Sequence, residues 1–354
     1  MKQFVLKSFT FLLPIILLFS FTKIFFIKNK GDLLRLGYVL NFEVDKYDEK
    51  FKEQYMMVNH YKNISNINLN SHNKFKVLTI GDSFSEQSNF GYKNHLAQNE
   101  GVSLVHFDKR LNDNPFETIW GVLNGDLLEN LEIDYIVLQS IEREMVTRGV
   151  EIKKNRLIFK DTLKKRIKEF KESSIKKASK NNLFSKTTIK FPLTNLLYLF
   201  DDNAFTSKVY KVKTTKNLFS INKKELLFYN SDKNRAEYNS NIESIKILND
   251  ELNILSNALG KRGIKLIVLP SPDKYDFYYR FISNKSSYPK PLFFEHLRKM
   301  KKSYLYIDSK QVLDKVIDHK KDLYFYDDSH WSPLSAKIIA TEIMQVINKA
   351  DYQK

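Results

Sequence analysis

From Phe4 to Ile27 the chain reads FVLKSFTFLLPIILLFSFTKIFFI, apolar except for a few hydroxyls and two lysines. Ser8–Thr22 is the uninterrupted core, and Lys7 and Lys23 can snorkel to the interfaces. These 24 residues suffice to span a bilayer. The continuation KNKGDLLRLG carries no small-x-small cleavage site. The pattern predicts an uncleaved membrane anchor over residues 1–30, followed by a polar connecting region, 31–73. Short apolar runs then alternate with amphipathic stretches. FKVLTI (75–80), VSLVHFD (102–108), IDYIVLQS (133–140), the run 264–269 and YLYID (304–308) have strand composition. Between them Tyr92–Asn99, the Asn-Pro-started Asn114–Leu131, FFEHLRKMKK and the final segment from Trp331 read as helical. Ile242, Ile245, Leu248, Leu252, Leu255 and Leu259 follow helical spacing, and Gly260 or Gly263 can close that helix. Ser332 is a candidate N-cap, with Pro333 at the first helical position. Strands alternating with helices predict an α/β fold, a mostly parallel sheet covered on both faces.

Glu151–Lys190 breaks the rhythm, with 14 Lys/Arg against 4 Asp/Glu. It opens an excursion over residues 151–235, read as an insertion, a lid or a substrate-facing subdomain. The expected body is therefore split into 74–150 and 236–354. No internal repeat is evident.

Composition narrows the chemistry. The chain has 354 residues and no cysteine, which excludes disulfides, thiolate nucleophiles and Cys-based zinc sites. Its net charge of +17 suits nucleic acid, an anionic membrane or an acidic glycan. The lysines are scattered and no nucleic-acid motif accompanies them, so nucleic acid is not an expected partner. No HExxH, EF-hand, P-loop or dinucleotide glycine pattern is present, so neither metal nor cofactor is expected. Lys2 and Lys7 precede the anchor, whereas Lys23, Lys28, Lys30 and Arg35 follow it. Counted alone, these charges would place the body inside.

Two stretches carry candidate chemistry. Gly81-Asp82-Ser83 ends the run 75–80, and Asp327-Asp328-Ser329-His330-Trp331 lies before the last helix. A serine hydroxyl needs a base to take its proton, and a carboxylate fixes the tautomer of that base. Ser83, His330 and either Asp327 or Asp328 could supply all three parts, since the carboxyl ends of parallel strands share one edge. The other six histidines have no comparable setting. Lys274 and Tyr279 suit substrate contact or strand-end packing equally. A glycosidase would need two facing carboxylates, and the motifs point to serine and histidine instead.

GDS after a first strand with Asp-x-x-His near the C-terminus resembles the SGNH (GDSL-like) hydrolases. GDSFS (81–85), LQSIERE (138–144), PSPDKYDFYY (270–279) and DSHWSP (328–333) resemble their cell-envelope branch, the alginate O-acetyltransferase-like proteins. The resemblance covers most of 75–350. In the alginate proteins the Asp-His-Trp motif precedes the serine; here it follows, as in ordinary SGNH hydrolases. The resemblance implies a three-layer α/β/α fold and a Ser-His-Asp triad acting through an acyl-serine. It also implies an extracytoplasmic body, at the periplasm or cell surface, with a polysaccharide acceptor and an acyl donor supplied by a membrane-bound O-acyltransferase. Asp327 fits the hydrolase spacing and Asp328 the acetyltransferase-like spacing, with Trp331 favouring Asp328. No GxND block supplies oxyanion donors. The Ser83 backbone N–H is the first candidate, with Gln139 or Arg143, then Gly91 and Asn89, as further ones. Transferase and esterase both remain open, as does a catalytically silent glycan-binding scaffold.

Overall fold

The computed structural model describes residues 1–25, 31–40, 47, 51, 58–111, 114–174 and 186–352. Parts of the anchor (26–30), of the connecting region (41–46, 48–50, 52–57) and of the excursion (175–185) lie outside the described residues.

Six strands form one parallel sheet in the order β1-β3-β2-β4-β7-β8. They are β1 (Lys62–Asn63), β2 (Asn73–Ile80), β3 (Leu104–Phe107), β4 (Leu131–Ile141), β7 (Lys265–Ser271) and β8 (Leu305–Tyr306). An antiparallel hairpin, β5 (Val209–Lys213) with β6 (Glu225–Tyr229), stands apart from that sheet. The chain passes from β2 to β3 on one side, then returns to add β4 on the other. Such a reversal opens a crevice at the carboxyl ends of the strands. Gly81–Ser83 leaves β2 there, and Gln139–Ile141 ends β4 beside it.

Alternating side chains divide the core. Val77, Tyr135, Val137, Ile267 and Leu269 pack on one face, with Trp331 and the helix Pro333–Tyr352. Leu78, Ile80, Ile136, Leu138, Leu266 and Val268 pack on the other, against the helices Pro115–Asn124 and Ile242–Gly260. The latter buries Ile245, Leu248, Leu252, Leu255 and Leu259, starts at an Asn241 cap on the Ser244 N–H (2.9 Å) and is followed by Gly263 at φ 76°. This is an α/β/α arrangement with an apolar N-terminal helix, Lys2–Phe25, long enough to cross a membrane.

Two details differ from the pattern. The stretch 114–131 is helical only over Pro115–Asn124 and then forms the short turn Leu127–Glu129, because Gly125 and Asp126 interrupt it. Ser332 does not cap through its side chain: its buried Oγ has no partner among the described residues, and its carbonyl accepts from Ala336 N instead. The Lys-rich helix Lys160–Ser174 runs along one flank of the sheet. Lys160 bonds Glu129 and Asn130, Lys164 bonds Asn70, and Lys171 bonds the Ser65 carbonyl. Asn130 and Asn70 lie just before β4 and β2, whereas Ser65 follows β1 and Arg110, which stacks on Phe170, follows β3, so this helix runs from the amino to the carboxyl ends of the strands. The hairpin behaves differently: Val209, Val212 and Leu226–Phe228 are buried in the core that contains Trp331.

Candidate active site

The first half of the site is the turn after β2. A Cβ at Gly81 would collide with Ser85 Oγ and Gln139 Oε1, so only glycine lets β2 pass so close to β4. Asp82 then caps the turn Ser83–Ser85, accepting from Phe84 N at 3.2 Å. Its other oxygen accepts from Ile141 N and Arg148 Nη1, both at 2.7 Å. Burial alone would raise the Asp82 pKa; Arg148 and the backbone donors outweigh it and hold the group below its usual range. Asp82 is thus an ionised clamp beneath Ser83. Ser83 itself is half-buried, and neither its Oγ nor its backbone N–H bonds another described residue.

The second half is the loop Leu323–Ser332. Tyr324 bridges Trp331, Phe325 N donates to the His330 carbonyl (3.2 Å), and Ser332 N to the Leu323 carbonyl (2.9 Å). The Lys274 ammonium sits inside this loop, donating to the carbonyls of Phe325 (2.6 Å), Tyr326 (2.7 Å) and Asp328 (3.2 Å). Burial pulls the Lys274 pKa down to about 7. From that frame His330 Nδ1 meets Asp328 Oδ1 at 2.5 Å, and the His330 backbone N–H donates to the same oxygen at 3.0 Å. Burial opposes the charge on both; the contact outweighs it, holding Asp328 at about 2 and raising His330. Nε2 of His330 is buried and has no partner among the described residues.

Asp327 turns away. It accepts from the Tyr47 hydroxyl at 2.7 Å, and burial pushes its pKa up to about 6. Of the two candidate acids, the structure brings Asp328 to the histidine.

The halves meet through Gln87 and the aromatic rings. Gln87 Nε2 donates to the Trp331 carbonyl (2.7 Å), and Trp331 Nε1 donates to Gln87 Oε1 (2.6 Å). The Phe84 ring lies 4.7 Å from the imidazole of His330 and 5.0 Å from the Trp331 ring. Ser83 therefore sits one residue from the ring that packs on His330, but no hydrogen bond joins Ser83 to His330 among the described residues. In unliganded sites such bonds are often long and tighten only with substrate.

The further oxyanion candidates fare differently. Gln139 is fully buried; its carbonyl accepts from Asp82 N and Ser85 Oγ, and its amide donates to Ser271 Oγ, all at 3.0 Å. Arg143 Nη1 is held by Asp232 (2.9 Å) and Asp273 (2.7 Å). In this arrangement the Gln139 side chain and Arg143 Nη1 are engaged within the scaffold. Gly91 starts the helix Tyr92–Asn99, its N–H reaching the Ser88 carbonyl at 3.4 Å. Asn89 is half-buried and uses its carbonyl on Asn94 (2.7 Å).

One functional neighbour was missed. Asp32 follows the N-terminal helix by seven positions, yet accepts from Ser329 N (2.8 Å), Ser329 Oγ (2.6 Å) and the Tyr229 hydroxyl (2.8 Å). Its own N–H donates to Asp328 Oδ2 at 3.1 Å, and Leu33 N and Leu34 N donate to the Asp327 carbonyl. Asp32, Asp328 and His330 bring ligand atoms within 4.8 Å of one another, a set that could hold a cation. Those oxygens already accept from Ser329, Tyr229, His330 and the Asp32 N–H, so a cation would have to displace several donors. The donor set fits a carboxylate–imidazole relay better.

The half of this site that holds the histidine has a family match. Residues 223–354 match the SGNH hydrolase-like domain of acetyltransferase AlgX. The AlgX-like segment contains Lys274, Asp328, His330 and Trp331; Ser83 and its turn lie outside the matched residues. No curated protein and no solved structure matches the chain.

Proposed function

We propose that this protein is a membrane-anchored, extracytoplasmic serine O-acyltransferase or esterase, acting on acetyl groups of a cell-surface or secreted polysaccharide. The observation that carries the proposal is the Asp328–His330 pair, with Nε2 unpartnered beside the turn that presents Ser83. Ser83 Oγ attacks the acyl carbonyl as its proton passes to Nε2. Asp328 stabilises the imidazolium, and the Ser83 N–H faces the developing oxyanion. Collapse expels the donor's leaving group, which takes the proton from His330. A sugar hydroxyl or water, deprotonated by the same Nε2, then attacks the acyl-serine, and collapse releases the ester or the acid as His330 returns that proton to the departing Ser83 Oγ. A membrane-bound O-acyltransferase is the proposed acyl source, and no diffusible cofactor enters these steps.

Release of a small aryl acetate by wild type and by Ser83→Ala tests this. Turnover that vanishes with Ser83→Ala supports the acyl-serine; equal turnover in both excludes it. Added oligosaccharide that becomes acetylated distinguishes transferase from esterase. A second proposal, a silent glycan-binding scaffold, rests on the absent Ser83–His330 bond and the engaged Gln139 and Arg143. It predicts acceptor binding with no turnover in either protein.

A further inference from the structure

The helix Lys186–Leu197 and the turn after it have two unlike faces. Phe191, Asn195 and Tyr198, spaced i, i+4, i+7, point to the body. Phe191 is buried; Asn195 donates to the Tyr38 carbonyl and accepts from Leu40 N; the Tyr198 hydroxyl donates to the Val209 carbonyl at 2.7 Å. Ile189, Leu193, Leu196 and Phe200 follow the same spacing on the opposite face. There a helix on a soluble body carries polar residues. Here all four are exposed, as are Leu199 and Phe205, from 53% for Ile189 to 75% for Leu199. A contiguous apolar stripe of this kind marks a contact surface.

Its position identifies the occupant. This helix approaches the apolar N-terminal helix to within 8 Å between Cα atoms, and Asn195 ties it to Tyr38 and Leu40, just beyond that helix. The stripe is thus continuous with the surface that enters the membrane. Exposed Lys190 and Lys208 flank it, suiting anionic headgroups.

We propose that the face formed by Ile189, Leu193, Leu196, Leu199, Phe200 and Phe205 is a second membrane contact, lying in the bilayer interface beside the anchor. It is a monotopic element, its apolar side chains sunk into the headgroup–acyl boundary. Two supports, one spanning and one lying flat, fix the orientation of the body, where a single helix would let it swivel. The inference rests on the proposal that Lys2–Phe25 is a membrane anchor.

The natural absence of cysteine makes the test clean. Single substitutions Leu193→Cys, Phe200→Cys, Leu12→Cys and Ile254→Cys in the full chain are labelled with an environment-sensitive nitrobenzoxadiazole fluorophore. Each is reconstituted in vesicles of phosphatidylcholine and phosphatidylglycerol with and without brominated chains. All four positions are exposed, so labelling leaves the fold intact. The expected result is quenching at 193 and 200 at least threefold above that at 254, and comparable to that at 12. Quenching at 12 alone overturns the second contact and leaves the anchor standing. An apolar emission at 193 and 200 without quenching also overturns it, placing protein on the stripe. No quenching at 12 overturns the anchor and this inference together.

Discussion

Asp32 accepts two hydrogen bonds from Ser329, from its backbone N–H at 2.8 Å and its hydroxyl at 2.6 Å, across 297 residues of sequence. Ser329 lies between Asp328 and His330, so this contact fixes the backbone that aims the imidazole. Asp32→Ala is expected to lower kcat by up to about 10²-fold through misplacement of the base, with little change in KM. Aryl acetate kinetics, with circular dichroism as the folding control, measure it. A kcat within twofold of wild type removes Asp32 from the site.

The two aspartates before His330 separate by mutation. Asp328→Asn is expected to cost on the order of 10⁴-fold in kcat, the scale seen when a triad acid loses its charge. Asp327→Asn keeps the Tyr47 contact and is expected to cost less than about tenfold. The reverse ranking would make Asp327 the orienting acid and the observed pair incidental.

Ser83→Ala and His330→Ala are expected to be non-additive. Residues that act as one unit lose nearly all their effect with the first removal, so the double variant should match the weaker single one. Initial rates with an aryl acetate settle this. A double variant slower than either by the product of the two losses argues for independent parts.

The pH profile follows from the His330 contact. The base must be neutral, so kcat/KM falls as pH drops through its raised pKa, and the acid limb should lie above the ordinary histidine value of about 6.5. In Asp328→Asn the largest raising contacts are gone, and burial acts against only the lesser pull of Asp32 and Asp82, so the midpoint should move to lower pH. An NMR titration of the His330 ring checks this independently of activity. The pair has a stability signature too. The His330 part is full below its unfolded pKa and lost as pH rises through the folded value. The Asp328 part is full above about 4 and lost as pH falls through about 2.

Lys274 has the opposite sign. Its folded pKa, about 7, is below the unfolded value of about 10.4. The unfolded chain therefore binds more protons between those values, and stability from this group rises with pH across that window. Urea unfolding at pH 7 and pH 9.5 should show wild type gaining on Lys274→Met as pH rises. At pH 9.5 the variant is expected to be less stable by about 1–3 kcal/mol, because buried carbonyls lose their donor.

The sheet was legible because burial on both faces leaves near-continuous apolar runs, and all five expected strands reappear within two residues at each end. Within YLYID the pairing with β7 runs through Leu305 and Tyr306. The Lys-rich segment was legible as an exposed helix, because charge density reports exposure to water; which strands it flanks is set by contacts such as Lys171 with Ser65 and Arg110 with Phe170. Asp327 and Asp328 could not be separated by spacing, because both place a carboxylate within reach of His330. What separates them is the Tyr47 hydroxyl and the Lys274 ammonium, neither near them in sequence. Gln139 and Arg143 were taken for donors because strand ends line such sites. Their partners, Ser85, Ser271, Asp232 and Asp273, are visible only once the chain is folded.

The Asp32–Ser329 contact also sets a clock. Asp32 is synthesised well before Ser329 and its neighbour His330. At about 5–20 residues per second, the intervening 297 residues take about 15–60 s to synthesise. For most of that interval Ser83 is present without the Asp328–His330 pair. The tie between Asp32 and the Asp328–His330 loop therefore closes late in synthesis, and a chain truncated before Asp328 leaves Asp32 without its Ser329 partner.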